Sequence, residues 1–236
     1  MVSPALPPDS SDKPLVGVLA LQGDYAAHAA MMARCGAATA EVRASRDLQG
    51  LDALVLPGGE STAMLRLMDE ALWQGLHSKI SAGLPVLATC AGTILLADCV
   101  INPAQRSLKL LHVTVERNGF GRQRDSFITT QLDWSGIVTA STAQGLPLQN
   151  QEGVFIRAPR IVSHAPSVKV LARWRGEPVL VQEGTIVAAT FHPELSHGPS
   201  PLHRWFLGQL RTGEDAVEQV AMGAKLCSDS IHASGN

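Results

Sequence analysis

Three short stretches of this 236-residue chain hold residue types that could do chemistry together. In LATCAGTILL, Cys90 falls where an apolar run gives way to a helical pattern. A sharp strand-to-helix turn there would expose the sulfur at the carboxyl end of a sheet, where open α/β folds bind ligands. The following helix would aim its free N–H groups at the sulfur, favouring thiolate and supplying donors for an oxyanion. This is the cysteine counterpart of a serine nucleophile elbow, and Ala91 and Gly92 permit the tight turn. Taken alone, Cys90 also fits a small apolar residue packed at a strand end.

A base and its orienting group come from ATFHPEL. Pro193 biases His192 toward extended backbone, so His192 and Glu194 can project to the same side at period two. A carboxylate there fixes the imidazole tautomer and stabilises its charged form, as in a nucleophile, base and carboxylate triad. HPE alone also reads as an ordinary loop, and Cys90 and His192 are about a hundred residues apart. The third stretch is PGGES: Pro57, Gly58 and Gly59 follow the apolar ALVL, and Glu60 and Ser61 open a helix. Paired glycines let backbone amides turn toward a ligand and complete an oxyanion hole with the amide after Cys90. A glycine turn with Glu60 or Ser61 capping the helix is the purely structural alternative.

The elements that must position these residues alternate. LVGVLAL (Leu15 to Leu21) reads as a buried parallel strand, followed by a helix from Tyr25 to Cys35. The unit recurs as ALVLPGGES leading into TAMLRLMDEALWQGLHSKISAG, and as LPVLATCAG leading into TILLADCV, so that Cys99 falls within the helix after the turn. Such alternation implies right-handed crossovers and an open, largely parallel sheet flanked by helices, an α/β fold. From Leu111 onward HVTVERN, DSFITTQL, GVFIRAP, VKVLARW, PVLVQEG and TIVAATF read as mixed or antiparallel strands added to that sheet. Ala140 to Glu152 reads as a surface loop, and Pro201 to Leu210 and Glu214 to Met222 as closing helices. The organisation expected is a disordered leader over 1–13, one domain over 14–212, and a C-terminal helix with a frayed tail over 213–236.

Composition narrows the partners. Lys and Arg total 19 against 21 Asp and Glu, which leaves no positive field for nucleic acid or anionic lipid. Cys35, Cys90, Cys99 and Cys227 lack CxxC or His spacing, so neither zinc nor a disulfide framework is expected. No apolar run reaches the roughly 20 residues that span a bilayer, and the leader has no secretion signal. The expectation is a cytoplasmic protein that meets small molecules or other proteins. His77, His112, His164, His197 and His203 have no ligand spacing and read as non-catalytic, and Met31, Met32, Met64 and Met68 read as helix-face core.

Taken in order, ALQGD, PGGEST, TCAG and FHPE resemble class I, triad-type glutamine amidotransferases. ERNGFGRQRDSF (Glu116 to Phe127) and GVFIRAP (Gly153 to Pro159) resemble the glutaminase subunits of pyridoxal 5′-phosphate synthases, and the resemblance runs from about Leu15 to Leu210. It implies Cys90 as nucleophile, His192 as general base and acid, and Glu194 as the orienting carboxylate. It implies glutamine binding by Gly59, Glu60, Ser61, Arg117, Ile156 and Arg157, with an oxyanion hole at Gly59 and Ala91. The arginines make chemical sense, because guanidinium holds the carboxylate of a free amino acid bidentately. Gln22 and His28 match an opening QGDxxxH motif that helps position the oxyanion loop or meets the partner. The implied activity is hydrolysis of L-glutamine to L-glutamate and ammonia, without metal or organic cofactor. The implied partner is a TIM-barrel lyase that builds pyridoxal 5′-phosphate (vitamin B6) from the channelled ammonia. The alternatives are a glutaminase serving another synthase, a catalytically silent binding subunit, and a cysteine peptidase on a related α/β fold.

Overall fold

The computed structural model describes residues 13–117, 119, 126–136, 148 and 151–210. The leader over 1–12, most of the segment from Ala140 to Glu152, and the expected helix from Glu214 to Met222 lie outside the described residues. No described helix is long and apolar enough to cross a membrane.

The short apolar runs pair because their polar backbones need partners once buried. A seven-stranded sheet results, in the order β10 (Lys169–Trp174), β11 (Glu177–Glu183), β12 (Ile186–Ala189), β4 (Val86–Thr89), β3 (Ala53–Leu56), β1 (Leu15–Leu19), β2 (Ala38–Val42). From β12 to β2 every neighbour is parallel, and β11 and β10 continue antiparallel at one edge. This is the expected α/β architecture. Every residue of β3, β4 and β12 is buried, and alternate side chains feed opposite faces. Leu54, Leu56, Ile186 and Ala188 enter one core with Leu72, Leu76 and Ile80. Ala53, Val55, Val187 and Ala189 enter another with Met32, Phe191, Leu202 and Phe206.

Helix α1 (Tyr25–Arg34) and a helix over 201–210, α5, supply side chains to the second core. The run expected as one helix after PGGES is two, α2 (Ser61–Leu67) and α3 (Glu70–Ser81). Asp69 makes the break, because its carboxylate accepts from Leu72 N–H at 2.7 Å and so starts a new helix. Likewise α4 (Ala91–Leu96) ends early, and ADCVI becomes strand β5 (Ala97–Ile101). Cys99 is therefore an exposed strand residue and not a packed helical one.

Not all the later strands join the main sheet. β5, β6 (Leu111–Glu116) and β9 (Arg160–His164) form a separate three-stranded sheet, and β7 (Phe127–Thr129) pairs with β8 (Gly153–Phe155). Neither β2 nor β9 stood out in the sequence, since edge strands alternate small, polar and apolar residues and lack a continuous apolar run. Within the expected 140–152 loop, Leu148 and Gln151 are buried. Gln151 Oε1 accepts from Ser200 Oγ at 2.7 Å and Leu202 N at 3.1 Å, which ties this segment to the start of α5.

The Asp69 cap is testable. Asp69→Ala removes one acceptor from a helix N-terminus and should cost about 1 kcal/mol, a fall in Tm of roughly 2–4 °C for a chain of this size. Thermal unfolding followed by circular dichroism reads the shift. An unchanged Tm would mean that α3 does not depend on its cap.

Candidate active site

Three turns meet at the carboxyl ends of β1, β3 and β4, and their glycines let them touch. A Cβ on Gly92 would lie 2.1 Å from Leu56 O, and one on Gly23 would lie 1.9 Å from Gly58 O. Gly92 N–H donates to Pro57 O at 3.1 Å, Asp24 N–H to Gly58 O at 3.1 Å, and Glu60 N–H to Gln22 Oε1 at 2.7 Å. Cys90 caps α4 with φ 44° and ψ −102°, a conformation an L-residue adopts only when its surroundings force it. The force comes from pairing on one side, Cys90 N–H to Ala189 O at 2.9 Å, and the start of α4 on the other. Ala91 opens α4, so its N–H has no acceptor within the helix.

His192 and Glu194 flank Pro193 at the 3₁₀ turn Pro193–Leu195, just beyond β12. Nδ1 of His192 lies 2.8 Å from Glu194 Oε1 and 3.4 Å from Asp24 Oδ2, and the imidazole also interacts with the Cys90 side chain. Gly58 packs against the ring, where a Cβ would come within 2.3 Å of His192 Cε1. The second oxygen of Glu194 faces His28 Nε2 at 3.2 Å. Cys90, His192 and Glu194 are thus brought into one line, with each of them buried.

Charge follows this geometry. Burial works to lower the pKa of His192. Favourable interactions with Asp24, Cys90 and Glu194 outweigh it and raise the pKa well above the ordinary histidine value. Burial works to raise the pKa of Glu194, but the nearby His28 and the hydrogen bond with His192 win and hold it far below the usual carboxylate range. Asp24, His192 and Glu194 have potential ligand atoms within 4.8 Å of one another. The contacts among these groups account for that grouping without a cation.

A pocket beside Cys90 is lined by Gly59, Glu60, Ser61, Ile94, Arg117, Ile156 and Arg157. Every candidate glutamine contact from the sequence therefore borders it, and Ile94 joins them. The Glu60 carboxylate caps α2, accepting from Thr62 N–H at 3.1 Å and Ala63 N–H at 2.7 Å, and it receives Arg117 Nη2 at 3.2 Å. Burial acts to raise its pKa and these bonds together lower it, so Glu60 stays ionised at the wall. Ser61 Oγ donates to Gln105 Oε1 at 2.9 Å. Arg157 sits at φ 47°, held off the usual backbone regions beside the pocket.

Some contacts were not legible beforehand. Gln22 grips the PGGES turn, whereas His28 of the same motif faces Glu194 and not that turn. His203, read from the sequence as non-catalytic, is fully buried and lies 3.0 Å from His28 Nδ1 through its Nε2. Asp24 reaches His192. The presence of Asp24 in QGD was visible, but its contact was not.

The family profile described as the SNO glutamine amidotransferase family matches residues 18–212. The chain is 43% identical over 198 residues to pyridoxal 5′-phosphate synthase subunit PdxT of Koribacter versatilis, across 84% of this chain and 96% of that relative. It is 45% identical over 197 residues to PdxT of Thermotoga neapolitana, across 83% and 99%. A crystal structure of a glutamine amidotransferase shares 42% identity and a TM-score of 0.72, covering 83% of this chain and 98% of that one. The structure of PurLQS from Thermotoga maritima is 15% identical with a TM-score of 0.60 over 86% of this chain and 99% of the other, a likeness of fold alone.

The buried histidine cluster sets a pH dependence of stability. Burial, and then the neighbouring His28, lower the pKa of His203 to about 3, against 6.5 for a free imidazole. Between those values the unfolded chain binds a proton that the folded chain refuses, so stability falls as pH falls through this window. One such group contributes a slope of about 1.4 kcal/mol per pH unit, or about 2 kcal/mol between pH 6.5 and 5. His203→Gln cannot titrate and should lose that share of the slope. Urea unfolding of both proteins at the two pH values measures it, and equal slopes would show that His203 is not held neutral.

Proposed function

Because the chain belongs to the SNO glutamine amidotransferase family, we propose that it is the glutaminase subunit of a pyridoxal 5′-phosphate synthase, with Cys90 as nucleophile. The relatives at 43–45% identity that carry the PdxT name support this reading, since the chain covers 96% and 99% of their length. The observation that carries the chemistry is the buried line from Cys90 through His192 to Glu194 beside a pocket with two arginines.

The Cys90 thiolate attacks the side-chain amide carbon of glutamine. The resulting oxyanion is held by N–H groups of Gly59 and Ala91, in a site where fixed donors need no reorganisation. As the C–N bond breaks, His192 gives its proton to the departing ammonia and leaves a thioester on Cys90. Water, losing a proton to His192, attacks the thioester; glutamate leaves and the thiolate returns. Glu194 keeps the imidazole oriented through both steps and stabilises its cationic form whenever it carries the proton. Arg117 and Arg157 hold the substrate α-carboxylate, and Glu60 and Ser61 form the opposite wall. Ammonia passes to a partner synthase, a TIM-barrel lyase, which uses it to build the pyridine ring. No metal or organic cofactor enters the cycle, and a thiol nucleophile suits the reducing cytoplasm.

Control by the partner follows from the oxyanion turn. Gly59 has φ 144° and no Cβ, and the carbonyl of the Gly58–Gly59 peptide is tethered by the Asp24 N–H. A synthase docked here can turn the Gly59 N–H toward or away from the oxyanion. A misdirected donor forfeits about 10²–10³ in rate.

Glutamate release at saturating glutamine, measured for the chain alone and with its cognate synthase, tests both points. Wild type should accelerate by about 10²–10³-fold on complex formation, and Cys90→Ala should release none while still binding the synthase. Residual turnover in Cys90→Ala removes Cys90 from the mechanism. A rate already high alone, and unchanged by the synthase, removes the control.

A further inference from the structure

Behind the triad lies a second layer of buried histidines that the mechanism above does not use. His28 of α1 and His203 of α5 are both fully buried, with tilted rings 5.2 Å apart. His28 reaches three groups. Its Nδ1 lies 3.0 Å from His203 Nε2, and its Nε2 lies 2.9 Å from Thr89 Oγ1 and 3.2 Å from Glu194 Oε2. The contact to Oε2 is off the hydrogen-bond axis, and no protein group among the described residues completes a hydrogen bond to that oxygen. The carboxylate is therefore held on one side by a true bond to His192 and on the other by the proximity of a single N–H.

The proton on His28 can be placed. A bare lone pair at Nε2 would face an ionised carboxylate. It would also put the His28 proton on Nδ1, which makes His203 Nε2 the acceptor and moves the proton of that neutral ring to its Nδ1. That atom is buried without a partner, and an orphaned buried N–H is costly. With the proton on His28 Nε2, the N–H faces Thr89 and Glu194, and His203 can donate from Nε2 and leave only a lone pair unpaired. His203 thus acts as a tautomer lock on His28, just as Glu194 acts on His192.

We propose that His28, locked by His203, is a positioning residue that keeps the Glu194 carboxylate ionised and aimed at His192, and so sustains the Cys90–His192 pair. This rests on the glutaminase reading only for its kinetic arm. The titratable groups around Glu194 are His192 from its own turn and His28 from α1. Behind them are Asp24 at His192, and His203 with Arg34 beyond His28.

Two substitutions separate positioning from mere packing. The amide nitrogen of glutamine falls near the place of Nε2 and can face Glu194, whereas that of asparagine falls near Nδ1 and can meet only His203. In the complex with the synthase, His28→Asn should lower kcat at least tenfold, leave KM for glutamine within about twofold, and shift the acidic limb of the kcat profile to higher pH. His28→Gln should recover a substantial part of kcat and return the limb toward wild type. Alkylation of Cys90 by iodoacetamide, followed by peptide mapping in the full-length chain, reads the same pairing without glutamine. Its rise with pH should move upward in His28→Asn and back in His28→Gln. Equal losses in the two variants, or pH profiles that superpose on wild type after scaling, would reduce His28 to a packing residue and overturn the proposal. Absence of Cys90-dependent glutamine hydrolysis in wild type would instead sink the glutaminase reading, and the alkylation profile would still decide the role of His28.

Discussion

Keeping Glu194 charged in the interior is the constraint on which the rest of the site is arranged. The group is 4% exposed, and an unpaired carboxylate at that depth would take up a proton rather than remain an anion. His192 meets one oxygen and His28 the other, each from a different element, and both must be buried to reach it. That requirement pins α1 against the turn after β12, and α5 behind α1 through His203. His28 and His192 together hold the pKa of Glu194 down, while Asp24, Cys90 and Glu194 raise that of His192 and leave the imidazole cationic beside the sulfur.

The second constraint is steric. The turns after β1, β3 and β4 approach so closely that three glycines carry the contact. Gly92 lies on the Leu56 carbonyl, Gly23 on the Gly58 carbonyl, and Gly58 on the His192 ring. A parallel sheet delivers strand ends to one edge, and small residues there let backbone amides rather than side chains face the pocket. Backbone donors cannot change rotamer, which suits the oxyanion hole proposed at Gly59 and Ala91.

Much of the fold was legible because buried parallel strands announce themselves as continuous apolar runs: LVGVL, ALVL and VLAT became β1, β3 and β4. The misreadings share a cause. At Asp69 a single side chain divided one helical run in two, and at Ala97 strand pairing with Leu111 outweighed the helical pattern of TILLADCV. The positions that meet at Cys90, His192 and Glu194 were suggested by local backbone grammar, a strand-to-helix turn and an X–Pro step. Arg117, Ile156 and Arg157 had no such local signal and came from resemblance alone. The His28–His203 contact spans 175 positions, and nothing near either residue in sequence indicates the other.

Under the proposed mechanism, Cys90, His192 and the Gly58–Gly59 turn are not independent parts. Asp24 donates its N–H to Gly58 O while its carboxylate stands 3.4 Å from His192 Nδ1. Gly58 in turn packs on the same imidazole. Rotation of the Gly58–Gly59 peptide therefore releases Asp24 N–H and alters the surface on which His192 rests. An amide–carbonyl bond of this kind contributes only about 0.5–1.5 kcal/mol net, well within what a docked protein surface can supply. A peptide tethered that weakly, in contact with His192 and beside Cys90, would let the docking proposed above adjust oxyanion binding and base geometry together. This coupling requires no movement of the sheet. The strands fix Cys90 and the turn after β12 fixes His192, so the element free to change is the glycine pair between them.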